Sequence, residues 1–149
     1  MLEWLRRGRT LPDDPVTLVE EQDIPADSRN SWVPSVLYGI ELHGKRIGDC
    51  DLRIGMNEEL YYAGNIGYNI QKEYRGHGYA YEACRILFRL ARTKYHMEEL
   101  IITCSPDNIA SKKTLQKLGG QLLETVEVPA GHWLYQRGET VKNIYRFLL

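Results

Sequence analysis

Apolar residues recur along this chain with two different periods. In "VLYGIEL" (36–42), Val36, Tyr38, Ile40 and Leu42 fall on one side of an extended segment, which predicts a half-buried strand. His43-Gly44 gives a tight turn into "KRIGDCDLRIG", where Cys50, Leu52 and Ile54 face one way and Asp49, Asp51 and Arg53 the other. Ile47 beside Gly48 breaks that parity and predicts a bulge. "VTLVEEQ" (16–22) alternates as a first strand, and "YYAGNIGYNI" (61–70) sets Tyr62, Ile66, Tyr68 and Ile70 on one side. Successive strands linked by hairpins argue for an antiparallel meander. The stretch "DIPADSRNSWVPS" is rich in turn formers and reads as loop. Residues 1–15, with Pro12 and Pro15, read as a loose lead-in with a short helical turn at "LEWLRR".

From residue 78 the period changes. Ala80, Ala83, Cys84, Leu87, Leu90 and Ala91 recur at steps of three and four and predict a helix over 78–95. Glu82 lies early on its other face and Arg85, Arg89 and Arg92 later, as the helix dipole favours. "LIITC" (100–104) is a continuous apolar run and predicts a strand buried on both faces. A second helix starts near Asn108, capped by Asp107 or Asn108, and stops at Gly119-Gly120. "QLLETVEV" and "KNIYRFLL" supply two closing strands. The fold class is therefore α/β with an α+β mixed sheet. An antiparallel N-terminal meander leads into a strand–helix–strand–helix unit whose crossover is expected to be right-handed and parallel. With no repeat or linker, residues 1–149 read as one domain.

Composition narrows the function. The chain is 43% hydrophobic and 26% charged with net charge −1, so it lacks the positive field of a protein that coats nucleic acid. Cys50, Cys84 and Cys104 show no metal-ligand spacing and cannot all pair, which suits reduced thiols in the cytoplasm. No metal site is expected. No stretch reaches the ~20 apolar residues that cross a bilayer, and the start does not resemble a signal peptide.

Candidate chemistry sits where the two periods meet, in "NIQKEYRGHGYAYEACRILFRLA" (69–91). A helix starting near Gly78 leaves about four backbone N–H groups unpaired at its positive end. Glycines there let those donors close around an anion, with phosphate the usual guest. Arg75 and Lys72 would add charge at the rim, and the helix start at 107–108 with Lys112 and Lys113 a second wall. The same glycines are also ordinary turn chemistry. A dinucleotide fingerprint is disfavoured because Tyr81 stands at the third glycine position, and a P-loop is excluded because no G-K-[ST] follows.

Arg75-Gly76-His77-Gly78-Tyr79-Ala80 reads R-x-x-G-x-A and resembles the acetyl-coenzyme A signature of the GCN5-related N-acetyltransferase (GNAT) superfamily. "IGYNIQKEYRGHGYAYEA" is similar to the branch that acetylates ribosomal-protein N-termini. "SPDNIASKKTLQKLGG" resembles the second signature, N-x-x-S followed by a helix ending in glycine. The resemblance spans roughly residues 36–147 and implies a V-shaped split sheet, with strands 61–70 and 100–104 splaying to admit the pantetheine arm. It implies that backbone amides of Gly76, Gly78, Tyr79 and Ala80 hold the pyrophosphate, with Arg75 beside it. Backbone groups near Ile70 and Lys72 would pair with pantetheine, the Ile70 N–H polarising the thioester carbonyl. Asn108 would bond the arm, and Lys112 or Lys113 a nucleotide phosphate.

Acetyl transfer to an amine needs a base, donors for the oxyanion and a proton for the departing thiolate. The glutamate and tyrosine that the family often uses are replaced here by Asn65 and Leu115. Ser111 remains as a hydroxyl able to bond the sulfur and relay a proton, unless it bonds its own backbone. For the base, Asp51 and His43 rank above Glu41 and Asp49. Proximity alone can offset ~7–11 kcal/mol of barrier. The 23–35 segment is too short for the two helices that wall the family's acceptor site, so the pocket should be more open, or completed by a second copy in a homodimer. Trp32 is either packing or the mouth of that pocket. The expected function is an acetyl-coenzyme A-dependent N-acetyltransferase acting on a small-molecule or peptide N-terminal amine. The alternative is a non-catalytic acyl-coenzyme A sensor or scaffold.

Overall fold

A computed structural model of the protein describes residues 13–149. The helical turn expected at "LEWLRR" lies outside them. Four strands form the meander: β1 (Thr17–Ile24), β2 (Ser35–Leu42), β3 (Lys45–Arg53) and β4 (Ile66–Ile70), antiparallel in the order β1-β2-β3-β4. The bulge expected at Ile47 is present. Ile40 pairs with Gly48 and Glu41 with Arg46, so Ile47 is the extra residue and stays buried beside Gly48. Val36, Tyr38, Ile40, Cys50, Leu52, Ile66 and Ile70 are buried on one face of this sheet.

That face is covered by α2 (Tyr79–Thr93), which buries Ala83, Cys84, Ile86, Leu87, Leu90 and Ala91. Each large side chain in such a stripe contributes roughly 1.5–3 kcal/mol by leaving water. Among the described residues, the stretch between β1 and β2 forms no helix to cover the opposite face. That face carries ion pairs instead: Arg46 grips Glu21 through two 2.9 Å bonds, and Arg53 lies 2.7 Å from Asp51.

The second half holds β5 (Glu99–Cys104), α3 (Ile109–Lys117), β6 (Gln121–Glu127) and β7 (Val141–Leu148), with β5-β7-β6 as a separate antiparallel sheet. Leu100, Ile101, Ile102 and Cys104 are all buried, as expected of a strand covered on both faces.

One short helix corrects the strand reading, and a second lies where none was expected. Residues 61–63 do not extend β4; they lie in α1 (Leu60–Ala63). Asn57 starts this turn by accepting the Leu60 N–H at 2.8 Å, and Gly64 ends it at φ 83°. A second turn, α4 (Trp133–Gln136), interrupts the β6–β7 connection, with the His132 ring accepting the Leu134 N–H.

β4 and β5 splay apart, as the resemblance implies. The two sheets touch at an isolated Gly64–Ile102 bridge, and beyond it β4 and β5 share no ladder, which opens the V.

Candidate functional site

The open edge of β4 follows from its register. Arg53 N–H donates to Asn65 O (2.7 Å) and Gln71 N–H to Ile47 O (2.8 Å), on either side of the pairs Leu52–Ile66, Cys50–Tyr68 and Gly48–Ile70. In an antiparallel ladder, hydrogen-bonded and non-hydrogen-bonded pairs alternate. Ile66, Tyr68 and Ile70 therefore turn their N–H and C=O groups away from β3, toward the gap before β5. The Ile70 carbonyl is taken by Arg75 Nε at 2.8 Å, which ties the glycine turn to the strand end. Lys72 opens a 3-10 turn (Lys72–Tyr74) and its carbonyl accepts the Arg75 N–H.

Then comes the helix start. Gly76 and Gly78 have φ of 83° and 79°, the left-handed region where L side chains are strained. Gly78 is the N-cap of α2, with no side chain capping it. Among the described residues, the N–H groups from Gly76 to Tyr81, including those of Tyr79 and Ala80, have no hydrogen-bond partner. A Cβ added at Gly76 or Gly78 would meet no protein atom within 4 Å. The amides thus face open space that side chains would obstruct, which fits a diphosphate.

Across the gap, Asn108 is the cap of α3, accepting the Ser111 N–H through Oδ1 at 3.2 Å. Ser111 does not turn back on its own helix; it accepts a hydrogen bond from Tyr68 Oη at 3.0 Å. Lys112 is half-buried and near enough to Cys104 to favour its thiolate, although burial dominates and pushes that thiol up. Burial also raises Cys50 well above its usual range and Cys84 to about 12, so none of the three is a ready nucleophile.

Of the two candidate bases, Asp51 stands in the sheet and His43 at its rim. His43 occupies the exposed β2–β3 turn with φ 51°. No hydrogen bond links His43, Asp51 and Ser111 to one another among the described residues. Asp51 lies on the helix-free face, where its Oδ2 receives Arg53 Nε at 2.7 Å and its Oδ1 the Gly67 N–H at 3.2 Å. Burial raises its pKa above the ordinary aspartate value, against the pull of Arg53 and of the Gly67 N–H. Gly67 makes room for this pair: a Cβ there would lie 2.7 Å from Asp51 Oδ1 and 3.0 Å from Arg53 Nη2. Gly67→Ala is expected to cost about 1–3 kcal/mol of stability through overpacking. Thermal melting checks this, and an unchanged midpoint would mean that the pair yields freely.

Arg53 also donates to the carbonyls of Ala63 and Gly64 and lines a cavity of about 470 Å³. Trp32, from the β1–β2 connection, and Trp133, from α4, form walls of that cavity, with Leu60, Ala63 and Glu59. Trp32 is therefore not a core residue; it is 57% exposed.

Asn65 and Leu115 have structural places. Leu115 is fully buried on the inner side of α3. Asn65 is 2% exposed, and every polar atom of its side chain is used. Nδ2 donates to Arg53 O (2.9 Å) and Gly55 O (2.7 Å), Oδ1 accepts Ile101 N–H (2.8 Å), and its own N–H donates to Ile101 O (2.6 Å). Sequence reasoning missed this clamp, as it missed the Arg53 contacts and the Tyr68–Ser111 bond. The alternation that set Asp51 and Arg53 on one face was the signal available for their pairing.

Known acetyltransferases resemble this chain in sequence or in fold. An uncharacterized N-acetyltransferase, YjdG of Bacillus subtilis (strain 168), is 34% identical over 70 residues, which are 47% of this chain and 41% of that protein. The fold is similar to RimL, a ribosomal L7/L12 alpha-N-protein acetyltransferase, at TM-score 0.59 and 19% identity, covering 77% of this chain and 61% of RimL. It is also similar to the microcin C7 self-immunity acetyltransferase MccE, solved with acetyl-CoA and AMP, at TM-score 0.59 and 20% identity, covering 77% of this chain and 61% of MccE. At these identities the likeness to the solved structures is one of fold, and this chain spans less than two thirds of each of these relatives. The sequence pattern of the acetyltransferase (GNAT) domain matches residues 7–121, more than half of the protein, and by that match the chain belongs to the GNAT family.

Proposed function

We propose that residues 1–149 act as one acetyl-CoA-dependent N-acetyltransferase domain, moving an acetyl group to the primary amine of a small molecule or a peptide N-terminus. One observation carries this: a run of unpartnered amides, bared of side chains, follows directly on a strand edge that is also open. Amides of Gly76, Gly78, Tyr79 and Ala80 would hold the pyrophosphate, with Arg75 and Lys112 adding charge. The Ile70 N–H and the backbone at Lys72 would pair with the pantetheine arm, and Asn108 would bond it from α3.

The coenzyme supplies an acetyl group activated as a thioester. The chain orients it along β4, where the Ile70 N–H would face the thioester oxygen and strengthen as charge develops there. Ser111 would give its proton to the departing sulfur. Asp51 would take the amine's proton; the acceptor would come over the helix-free face from the cavity between Trp32 and Trp133. His43 is the second candidate for that role. If Asp51 is the base, the acid limb of the kcat/KM profile lies above the ordinary aspartate value of about 3.9, because burial raises its pKa and only the ionised form accepts a proton. Asp51→Asn should then abolish that limb, and a limb unchanged in the variant would assign the base elsewhere.

RimL's name and the MccE complex favour amine acceptors and acetyl-CoA for this chain as well. Three buried free thiols favour a reducing cytoplasm. No described helix is long and apolar enough to cross a membrane. A homodimer would complete the open side of the acceptor cavity.

A second reading, a non-catalytic acyl-CoA sensor or scaffold, is favoured by Asn65 and Leu115 being committed to packing. Thiol release from acetyl-CoA against polyamines, amino acids, aminoglycosides and peptide N-termini separates the two. Turnover on any amine supports the transferase; tight binding with no turnover on all supports the sensor. Arg75→Ala and Asn108→Ala are each expected to weaken acetyl-CoA binding about tenfold, from the loss of one charge-assisted or one neutral hydrogen bond. Calorimetric titration measures it, and unchanged binding in both would move the coenzyme elsewhere.

A further inference from the structure

A serine or threonine in the body of a helix commonly satisfies its hydroxyl on the carbonyl four residues back. Thr93 and Thr114 in this chain do so, donating to Arg89 O at 2.7 Å and Ala110 O at 3.0 Å. Ser111, in the first turn of the same helix as Thr114, makes no such bond to the Asp107 carbonyl. Its oxygen accepts from Tyr68 Oη at 3.0 Å, a bond that crosses from β4 to α3 between the two limbs of the V. The two residues are 43 apart in sequence, so only the fold brings them together.

We propose that Tyr68 is a positioning residue for acetyl transfer: by donating to Ser111 Oγ it fixes that oxygen as an acceptor, so that the one proton of Ser111 is left to face the cleft. The proposal rests on the transferase reading above, in which Ser111 serves the departing sulfur.

A hydroxyl has one proton and two lone pairs. With Tyr68 donating into one lone pair and no helix carbonyl taking the proton, Ser111's O–H has the cleft as its remaining direction. When the acetyl carbon–sulfur bond breaks, the electron pair goes to sulfur as thiolate, and that thiolate takes the Ser111 proton. A water in the cleft replaces the serine's proton, and the hydroxide it leaves takes the proton that the base removed from the amine. The N–C bond formed and the C–S bond broken thus leave amide and free thiol, and Tyr68 keeps its own proton throughout. The phenol is suited to this: burial pushes its pKa up to about 12, against the pull of the nearby Ser111 and Thr114 hydroxyls. It is a donor at every pH at which an amine acceptor would be used. Tyr68 does not itself touch the reacting atoms, so its effect must pass through Ser111.

Tyr68→Phe removes the donor and keeps the ring. With the acceptor found in the thiol-release panel, the variant is expected to lose about tenfold in kcat, with KM for acetyl-CoA and the melting temperature unchanged. Ser111→Ala should lose at least as much, and the double variant no more than Ser111→Ala alone. A Tyr68→Phe enzyme within twofold of wild type overturns the proposal and leaves the transferase reading intact, as do losses that multiply in the double variant. A loss of kcat matched by a rise in KM or a fall in melting temperature also overturns it, since Tyr68 would then be serving packing. If the wild-type protein binds acetyl-CoA and acetylates no amine, the transferase reading falls, and the role of Tyr68 with it.

Discussion

Gly78→Val is expected to raise the dissociation constant for acetyl-CoA by more than about 100-fold, roughly 3 kcal/mol, in a protein that still folds. Gly78 is the N-cap of α2 at φ 79° and ψ 15°, and the N–H groups that follow it have no partner in the chain. An isopropyl group at this point would stand in front of those donors, where an added Cβ has open space around it. The substitution also strains the backbone by about 1–2 kcal/mol, because a side chain in the left-handed region crowds the next carbonyl. Gly119→Val separates strain from obstruction. Gly119, just past α3, has φ 87° and equally open surroundings. Both variants should melt lower by similar amounts, and only Gly78→Val should lose the coenzyme. Titration calorimetry with acetyl-CoA reads the difference. Equal affinities for wild type and Gly78→Val would take the diphosphate seat away from this helix.

The elements that local pattern dictates were legible in the chain. Ala83, Leu87, Leu90 and Ala91 share a stripe that only a helix brings to one side, and α2 buries all four. Ile47 breaks a two-residue period, and a bulge is the local way to keep both neighbours' faces correct. The 61–63 segment misled because Tyr61 and Tyr62 favour strands by bulk, while Asn57 and Gly64 already marked the start and stop of a helical turn. The bare helix start at Gly76–Gly78 was legible because it is made of backbone, which glycine spacing reports directly. The side-chain contacts around Ser111 and Arg53 were not. Tyr68 reaches Ser111 across the gap, and Arg53 reaches Ala63 and Gly64 around a turn, through contacts that no sequence period encodes.

Asn65 shows how far position and role can part. Its place in the strand is where the family often carries a carboxylate, and a carboxylate could not do what Asn65 does here. The amide nitrogen gives two hydrogen bonds to the carbonyls of Arg53 and Gly55, and the amide oxygen takes the Ile101 N–H. One side chain thus holds the end of β3, the start of β4 and the middle of β5 where the V closes. Asn65→Asp keeps the shape and removes both donors, leaving two buried carbonyls facing an acid. The expected loss is about 3 kcal/mol, from unsatisfied groups worth roughly 1–3 kcal/mol each, or a melting temperature lower by roughly 10 °C. The sign of its pH dependence is fixed by the site. Carbonyls around a buried carboxyl raise its folded pKa above the unfolded value of about 3.9, so ionisation opposes folding. The deficit relative to wild type should therefore be full at neutral pH and shrink as pH falls through the folded pKa toward the unfolded one, where the protonated acid can still donate once. Melting curves of both proteins between acid and neutral pH would show it. A variant as stable as wild type at neutral pH would mean that the V is closed by the packing of Ile66 and Ile102 rather than by this amide.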